Sequence, residues 1–299
     1  MCISSSSSSQ QQHQHHSNNT DLTLSCNNNM SSYAITGASR GIGWAFLTNL
    51  SSNPDNTVIA LVRNKAGTEK RVAEELIGRS NIHVIHADLN DYKSLETAAA
   101  ETAKITGGGL DYLIGNAAYL NTFDQFDAIG VLGKNPTALE ENLLTNFKTN
   151  TVAQIHLFNL FTPLILRGTA KKVIAITSGH ADTELVTKYN LPNAPSYAIS
   201  KIGLNMAVAK FSAQYAGDGV LFLAICPGMV DTGHFEELTE EQLAGAAPMF
   251  AKFKEFSPTF NGARQPEDSV KDVLKVIDNA TVEKNAGGFL SHKGNRIWL

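Results

Sequence analysis

From Tyr33 onward, short apolar runs alternate with longer stretches of mixed polarity. The apolar runs are YAITG, NTVIALV, IHVIHAD, LDYLIGNAA, KKVIAITS, VLFLAICPG and GGFLSH. They are mostly continuous rather than alternating, which predicts parallel strands covered on both faces. Between them the pattern predicts helices near 41–50, 66–77, 91–105, 140–166, 196–215 and 266–278. Gln265-Pro266-Glu267-Asp268 is a start signal for the last of these, with proline at the first turn and acids near the helix N-terminus. The βαβ rhythm predicts a single doubly wound α/β domain over 33–299, with roughly seven parallel strands flanked by helices. The stretch 233–262 lacks a strand and interrupts the rhythm.

Residues 1–32 differ from the rest. SSSSSSQQQHQHHSNNT is low-complexity sequence that cannot bury apolar surface, and it reads as a disordered tail. Its histidines have no fixed geometry, so no metal site is expected. No Lys or Arg precedes Arg40, unlike a secretory signal or a transit peptide. No apolar run approaches the roughly 18 residues of a membrane span. The chain has 299 residues, 42% hydrophobic, with a net charge of −4 and no basic run, which argues against nucleic-acid or membrane partners. Cys2, Cys26 and Cys226 have no ligand spacing, and so sparse a set suits a reducing, cytoplasmic setting.

Two constellations carry chemistry. The first strand runs into Thr36-Gly37-Ala38-Ser39-Arg40-Gly41-Ile42-Gly43 and then a helix. Glycines allow a tight turn and close backbone approach, and the helix N-terminus offers free N–H groups to a phosphate. The second is Tyr197 with Lys201, one helical turn apart, and Ser178 at the end of the fifth strand. A nearby ammonium is expected to lower the phenol's pKa from about 10, making Tyr197 a general acid toward a carbonyl oxygen. Ser178 would hold that oxygen. Tyr189 has no lysine one turn on and is the weaker alternative.

With these motifs the chain resembles the short-chain dehydrogenase/reductase family, in the branch with TGxxxGxG and YxxxK, from about Tyr33 to the C-terminus. It is similar in general look to fungal ketoreductases and sniffer-type carbonyl reductases. The resemblance implies a Rossmann-type domain and a nicotinamide cofactor. Gly37, Ser39, Arg40, Gly41, Ile42 and Gly43 match the family's phosphate loop. Asp88-Leu89 matches its adenine contact, and Asn116-Ala117-Ala118 its NAG segment, with Ala118 in place of glycine. Pro227-Gly228-Met229-Val230-Asp231-Thr232 matches PGxVxT, so Pro227, Val230 and Thr232 would lie at the nicotinamide. Asn150 matches the family's helix asparagine, a fourth catalytic member that holds a water toward Lys201, and Lys201 would also bond the nicotinamide ribose. The family often forms dimers or tetramers.

The second strand ends Ala60-Leu61-Val62-Arg63-Asn64, without the acid that would accept from a ribose 2′-hydroxyl. Arg63, with Arg40 by resemblance, suits a 2′-phosphate, so NADP(H) is the expected cofactor. The function expected is NADPH-dependent reduction of a small-molecule carbonyl. A dehydratase, epimerase or enoyl reductase on the same scaffold, or a non-catalytic NADPH-binding redox sensor, are the alternatives. Ser178 and Tyr197 are nineteen positions apart, a longer gap than the family's, read as a long loop at the mouth of the site. His180 in that loop is either pocket-lining or simply hydrogen-bonded. Residues 233–262 resemble the family's substrate lid, and Phe235, Phe250, Phe253, Phe256 and Phe260 either pack against the body or line a pocket for a bulky apolar ketone.

Overall fold

The computed structural model describes residues 30–233 and 240–299. The disordered tail expected over 1–32 falls outside the described residues except at its end, where Ser32 already opens the first strand. Phe235 also lies outside them.

Seven strands form one parallel sheet: β1 (Ser32–Thr36), β2 (Thr57–Val62), β3 (Ile82–His86), β4 (Tyr112–Gly115), β5 (Lys172–Ile176), β6 (Leu221–Cys226) and β7 (Phe289–Ser291). Their order is β3-β2-β1-β4-β5-β6-β7. Residues of one strand feed opposite cores in alternation. On β6, Leu221, Leu223 and Ile225 enter one core, and Phe222 and Ala224 the other. Two-sided burial of this kind is why the runs read as continuously apolar. One face is covered by α3 (Tyr92–Ile105), α6 (Ala153–Ile165) and α8 (Pro195–Gln214), the other by α1 (Gly41–Leu50) and α10 (Pro266–Asn279). The helix α2 (Lys65–Glu75) flanks the β2–β3 side, and α4 (Ile129–Leu132), α7 (Thr183–Tyr189) and α11 (Val282–Asn285) are short.

One expectation changes. The single helix expected over 140–166 is two, α5 (Pro136–Phe147) and α6, joined by a π-turn at Lys148–Val152. The wide turn carries buried Thr149, Asn150 and Thr151, whose side chains all bond outside the helix; such turns often mark functional sites. α5 starts at Pro136, capped by Asn135, whose Oδ1 accepts from Ala138 N at 3.2 Å. On α8, Ile199, Ile202 and Met206 face outward, 44%, 41% and 60% exposed. Its inner side is Ser200, Lys201, Leu204, Val208 and Phe211. The strandless stretch contains a helix, α9 (Glu240–Phe256). Among the described residues no helix is long and apolar enough to cross a membrane.

Between β1 and β4 the strand order reverses direction, which opens a crevice at the strand C-termini. The glycine loop leaves β1 at that point.

Candidate active site

A cavity of about 680 Å³ occupies the crevice. Its lining brings together Gly37, Ser39, Arg40, Gly41, Ile42, Arg63, Asp88, Leu89, Asn116, Ala117, Ser178, Tyr197, Lys201, Pro227, Val230 and Thr232. Two expected site residues, Gly43 and Asn150, do not line it.

The loop's geometry explains its glycines. Gly37 has φ +69°, and a Cβ there would stand 2.9 Å from Ala117 Cβ. A Cβ on Gly43 would stand 2.2 Å from Gly37 O, so Gly43 is required by the packing of the turn on itself. Thr36 Oγ1 accepts from Asn116 N (3.0 Å) and Ala117 N (3.1 Å), and Asn116 Nδ2 donates to Thr36 O at 2.9 Å. The NAA segment thus braces the loop from the neighbouring strand. A residue the motif does not reveal completes the brace. Arg71 on α2 donates to Ser39 O at 3.0 Å, and its guanidinium lies 4.0 Å from the Trp44 ring centroid. By contrast, Arg40 and Arg63 make no ion pair among the described residues. Asn64 is occupied as the cap of α2, accepting from Gly67 N at 3.0 Å.

At the other end of the cavity, the Ser178 hydroxyl stands near enough to the Tyr197 phenol to favour its ionised form. Lys201 is 2% exposed; its Nζ donates to Ile176 O at 2.9 Å and lies 5.6 Å from the Tyr197 ring centroid. Burial pulls the Lys201 ammonium down to about 8. The expected lowering of Tyr197 is not what this site produces. Burial raises the phenol above its ordinary value, the Cys226 thiol adds to the rise, and the Ser178 hydroxyl offsets only part of it. Tyr197 is therefore held protonated.

Asn150 is buried behind the cavity. Its Oδ1 accepts from Tyr119 N at 2.7 Å, and its Nδ2 donates to Tyr119 O (2.9 Å) and Ser200 Oγ (3.0 Å). Ser200 Oγ in turn donates to Tyr197 O at 2.7 Å. The side chain ties the segment after β4 to the helix of Tyr197. A second tie from that segment escaped the sequence reading. Asp124, fully buried, accepts from Ser196 N (2.9 Å) and Tyr197 N (3.2 Å) through Oδ2. It caps α8, whose own cap position, Ala194, has φ +53° and offers no side-chain acceptor. The signal lies far along the chain from the helix it serves, so no local motif exposes it.

The gap between Ser178 and Tyr197 is largely helical, a 3₁₀ turn at Gly179–Ala181 followed by α7. Phe253 is buried on α7 and the C-terminus with Leu185, Leu191 and Trp298, and Met249, Phe250, Phe256 and Phe260 pack against this cluster. None of these phenylalanines lines the cavity. These four phenylalanines therefore follow the packing alternative. Tyr189 faces Phe256 edge-on at 5.3 Å and does not line the cavity. His180 does not line the cavity either: its ring meets Phe253 at 6.0 Å, and burial pushes it down to about 4. Among the described residues no cluster of His, Cys, Asp or Glu is arranged to hold a metal ion.

The short chain dehydrogenase family model matches residues 32–243. Short chain dehydrogenase virK of Hypocrea virens is 55% identical over 271 residues, 90% of this chain and all of the relative. Short-chain dehydrogenase/reductase iacC of Pestalotiopsis fici is 48% identical over 272 residues, again 90% of this chain and all of the relative. Among solved structures, the NADPH-bound carbonyl reductase from chicken fatty liver superposes with a TM-score of 0.71 at 25% identity, over 89% of this chain and 98% of that one. Carbonyl reductase Sniffer of D. melanogaster shares the fold, with a TM-score of 0.68 at 22% identity over 89% and 98% of the two chains. The protein belongs to the short-chain dehydrogenase/reductase family.

Proposed function

We propose that the protein is an NADPH-dependent carbonyl reductase. The carrying observation is convergence: the braced glycine loop and the Ser178, Tyr197 and Lys201 set face one cavity. The residues present fit a nicotinamide dinucleotide. Gly37 and Gly41, at φ +69° and +54°, leave the loop backbone bare at the start of α1 for a pyrophosphate. Asp88 and Leu89 would flank the adenine, and Pro227, Val230 and Thr232 the nicotinamide. The guanidiniums of Arg40 and Arg63, which make no ion pair among the described residues, with no acid at the end of β2, favour a 2′-phosphate over a bare ribose. Bound here, the cofactor supplies a hydride to a carbonyl carbon. Ser178 holds the carbonyl oxygen, and Tyr197, protonated at neutral pH, gives it a proton. Lys201, cationic below about pH 8, stabilises the phenolate that results. Asn150, through Ser200, fixes the turn of α8 that carries both.

NADPH absorbance followed against a panel of ketones, beside Tyr197→Phe, tests this. Turnover by the wild type and its loss, by about a hundredfold or more, in the variant is expected. NADPH binding without turnover of any carbonyl would support a sensor instead.

We also infer a homodimer. Leu144 and Phe147 on α5 and Ile199, Ile202 and Met206 on α8 are all more than 40% exposed. The two helices pack together, with a Cβ on Gly203 reaching 3.1 Å from the Phe147 ring, so these side chains form one apolar patch. A patch of this kind on neighbouring helices suits an isologous pairing with a second copy.

A further inference from the structure

We propose that Asn142 and Asn146 are positioning residues for the proton donor: with Asn150 they form a buried amide ladder that holds α8, and so Tyr197 and Lys201, in register. The inference rests on the carbonyl reductase reading. The three asparagines stand four apart, on α5 and in the π-turn, and are 4%, 0% and 0% exposed. Each amide donates toward the start of α5. Asn150 Nδ2 reaches Asn146 Oδ1 at 3.3 Å, and Asn146 Nδ2 reaches Asn142 Oδ1 at 3.2 Å. Asn142 Nδ2 then donates to Ser196 Oγ at 2.9 Å, while Asn150 Nδ2 also donates to Ser200 Oγ at 3.0 Å. The ladder therefore meets α8 at two buried serines one turn apart, and each directly precedes a member of the reacting pair.

Residues four apart drift by about 40° per step around a regular helix. The wider π-turn offsets that drift and keeps Asn150 over Asn146. The ladder also fixes which atom Asn150 presents. Reversing its amide would set oxygen against Asn146 Oδ1 and Tyr119 O, and nitrogen against Tyr119 N. Every side-chain nitrogen and oxygen of the three asparagines has a partner, so the network is of the fully satisfied kind that rigidifies a buried contact. Apolar side chains would join α5 to α8 without the desolvation cost, but they would set no register, the service a buried asparagine performs between paired helices.

The test reads kcat for the best ketone of the panel and the NADPH dissociation constant, each well below the variant's melting temperature. Wild type is compared with Asn146→Leu, Asn142→Leu, Ser196→Ala and the last two combined. Asn146→Leu cuts the ladder in the middle and should lower kcat by about tenfold to a hundredfold, the loss that a small misplacement of a reacting group brings. NADPH affinity should stay within about threefold, because the glycine loop is braced by Asn116 and Arg71 and not by the ladder. Asn142→Leu and Ser196→Ala remove the two ends of one hydrogen bond, so each should lower kcat by about threefold to tenfold, and the pair little more than one alone. A lower melting temperature with kcat intact would mark a merely structural ladder and overturns the inference. So does an equal fall in kcat and NADPH affinity, or falls that simply multiply in the double variant. If Asn146→Leu does not fold, Ser196→Ala decides. Absence of wild-type turnover with every ketone removes the reductase reading and this inference together, whereas turnover that the ladder variants leave unchanged removes this inference alone.

Discussion

The Asp124 carboxylate accepts the backbone N–H of Tyr197 across 73 residues of sequence. An acid in the segment after β4 therefore sets where the proton donor begins its helix. Asp124→Ala removes the side-chain cap of α8 seen among the described residues and takes the acceptor from the Ser196 and Tyr197 N–H groups. A loss of about 1–3 kcal/mol in unfolding free energy is expected, measured by urea denaturation. kcat should fall more than NADPH affinity, because the cap sits under Tyr197 and away from the glycine loop. Asp124→Asn, with an acceptor oxygen retained, should fall between.

The proposed preference for NADPH rests on Arg63. Arg63→Glu replaces a free guanidinium with the acid that a bare ribose prefers. NADPH affinity should drop by about tenfold to a hundredfold, the range for a lost charge-assisted hydrogen bond, while NADH affinity changes little or improves. Fluorescence titration of both dinucleotides reads the result, and equal losses for the two would remove Arg63 from the 2′-phosphate site. Arg40→Ala should show a smaller change in the same sense.

The seven strands were legible because two-sided burial leaves continuous apolar runs, and the glycine loop because its spacing is local. Tyr197 and Lys201, one helical turn apart, stand out for the same reason. What escaped depends on distant segments. Asp124 looks like an ordinary loop residue until the chain brings it against Ser196 and Tyr197. The π-turn at Lys148–Val152 has no periodicity of its own, and its polar residues read as one helix with α5 and α6. The outward Ile199, Ile202 and Met206 have helical spacing, but spacing alone does not say which side of a helix faces the core. Phe250, Phe253, Phe256 and Phe260 pack with Leu185 of α7 and Trp298, and composition does not separate that from a pocket.

Two histidines should make the fold sensitive to mild acid. Burial holds His180 and His292 near 4, His292 aided by Arg264 and Lys293, and Asp124 only partly opposing burial at His180. Between pH 6.5 and about 4 the unfolded chain takes up protons that the folded chain refuses. Stability is thus full above 6.5 and is lost as pH falls through this window. The melting temperature should decline steadily from pH 7 to pH 4. In His180→Gln the decline should be shallower, since one of the two groups no longer titrates.

Charging the apolar patch tests the dimer. Ile202→Glu with Met206→Glu places like charges on both sides of an isologous contact. Light scattering should shift from the mass of two chains to that of one, at nearly unchanged helicity, because both side chains are exposed in the single chain. A wild type that is already monomeric at micromolar concentration would dismiss the pairing.

The C-terminus straps the loop that follows Ser178. Trp298, 2% exposed, donates from Nε1 to Asp182 Oδ2 at 2.9 Å and stacks on Phe289 at 4.2 Å between centroids. Arg296 reaches the same Asp182 oxygen at 2.9 Å, while Asp182 Oδ1 caps α7 through Glu184 N at 3.0 Å. Gly179, next to Ser178, lies so close that a Cβ would stand 2.8 Å from Trp298 Cβ. The indole therefore fixes the backbone on which Ser178 sits as well as the start of α7. Trp298→Ala should cost about 3–5 kcal/mol, and Trp298→Phe, which keeps most of the packing but loses the hydrogen bond, about 1–2 kcal/mol. If the strap also positions Ser178, Trp298→Ala assayed well below its melting temperature should lose kcat for ketones while binding NADPH normally. Normal kcat in that folded variant would confine Trp298 to stability.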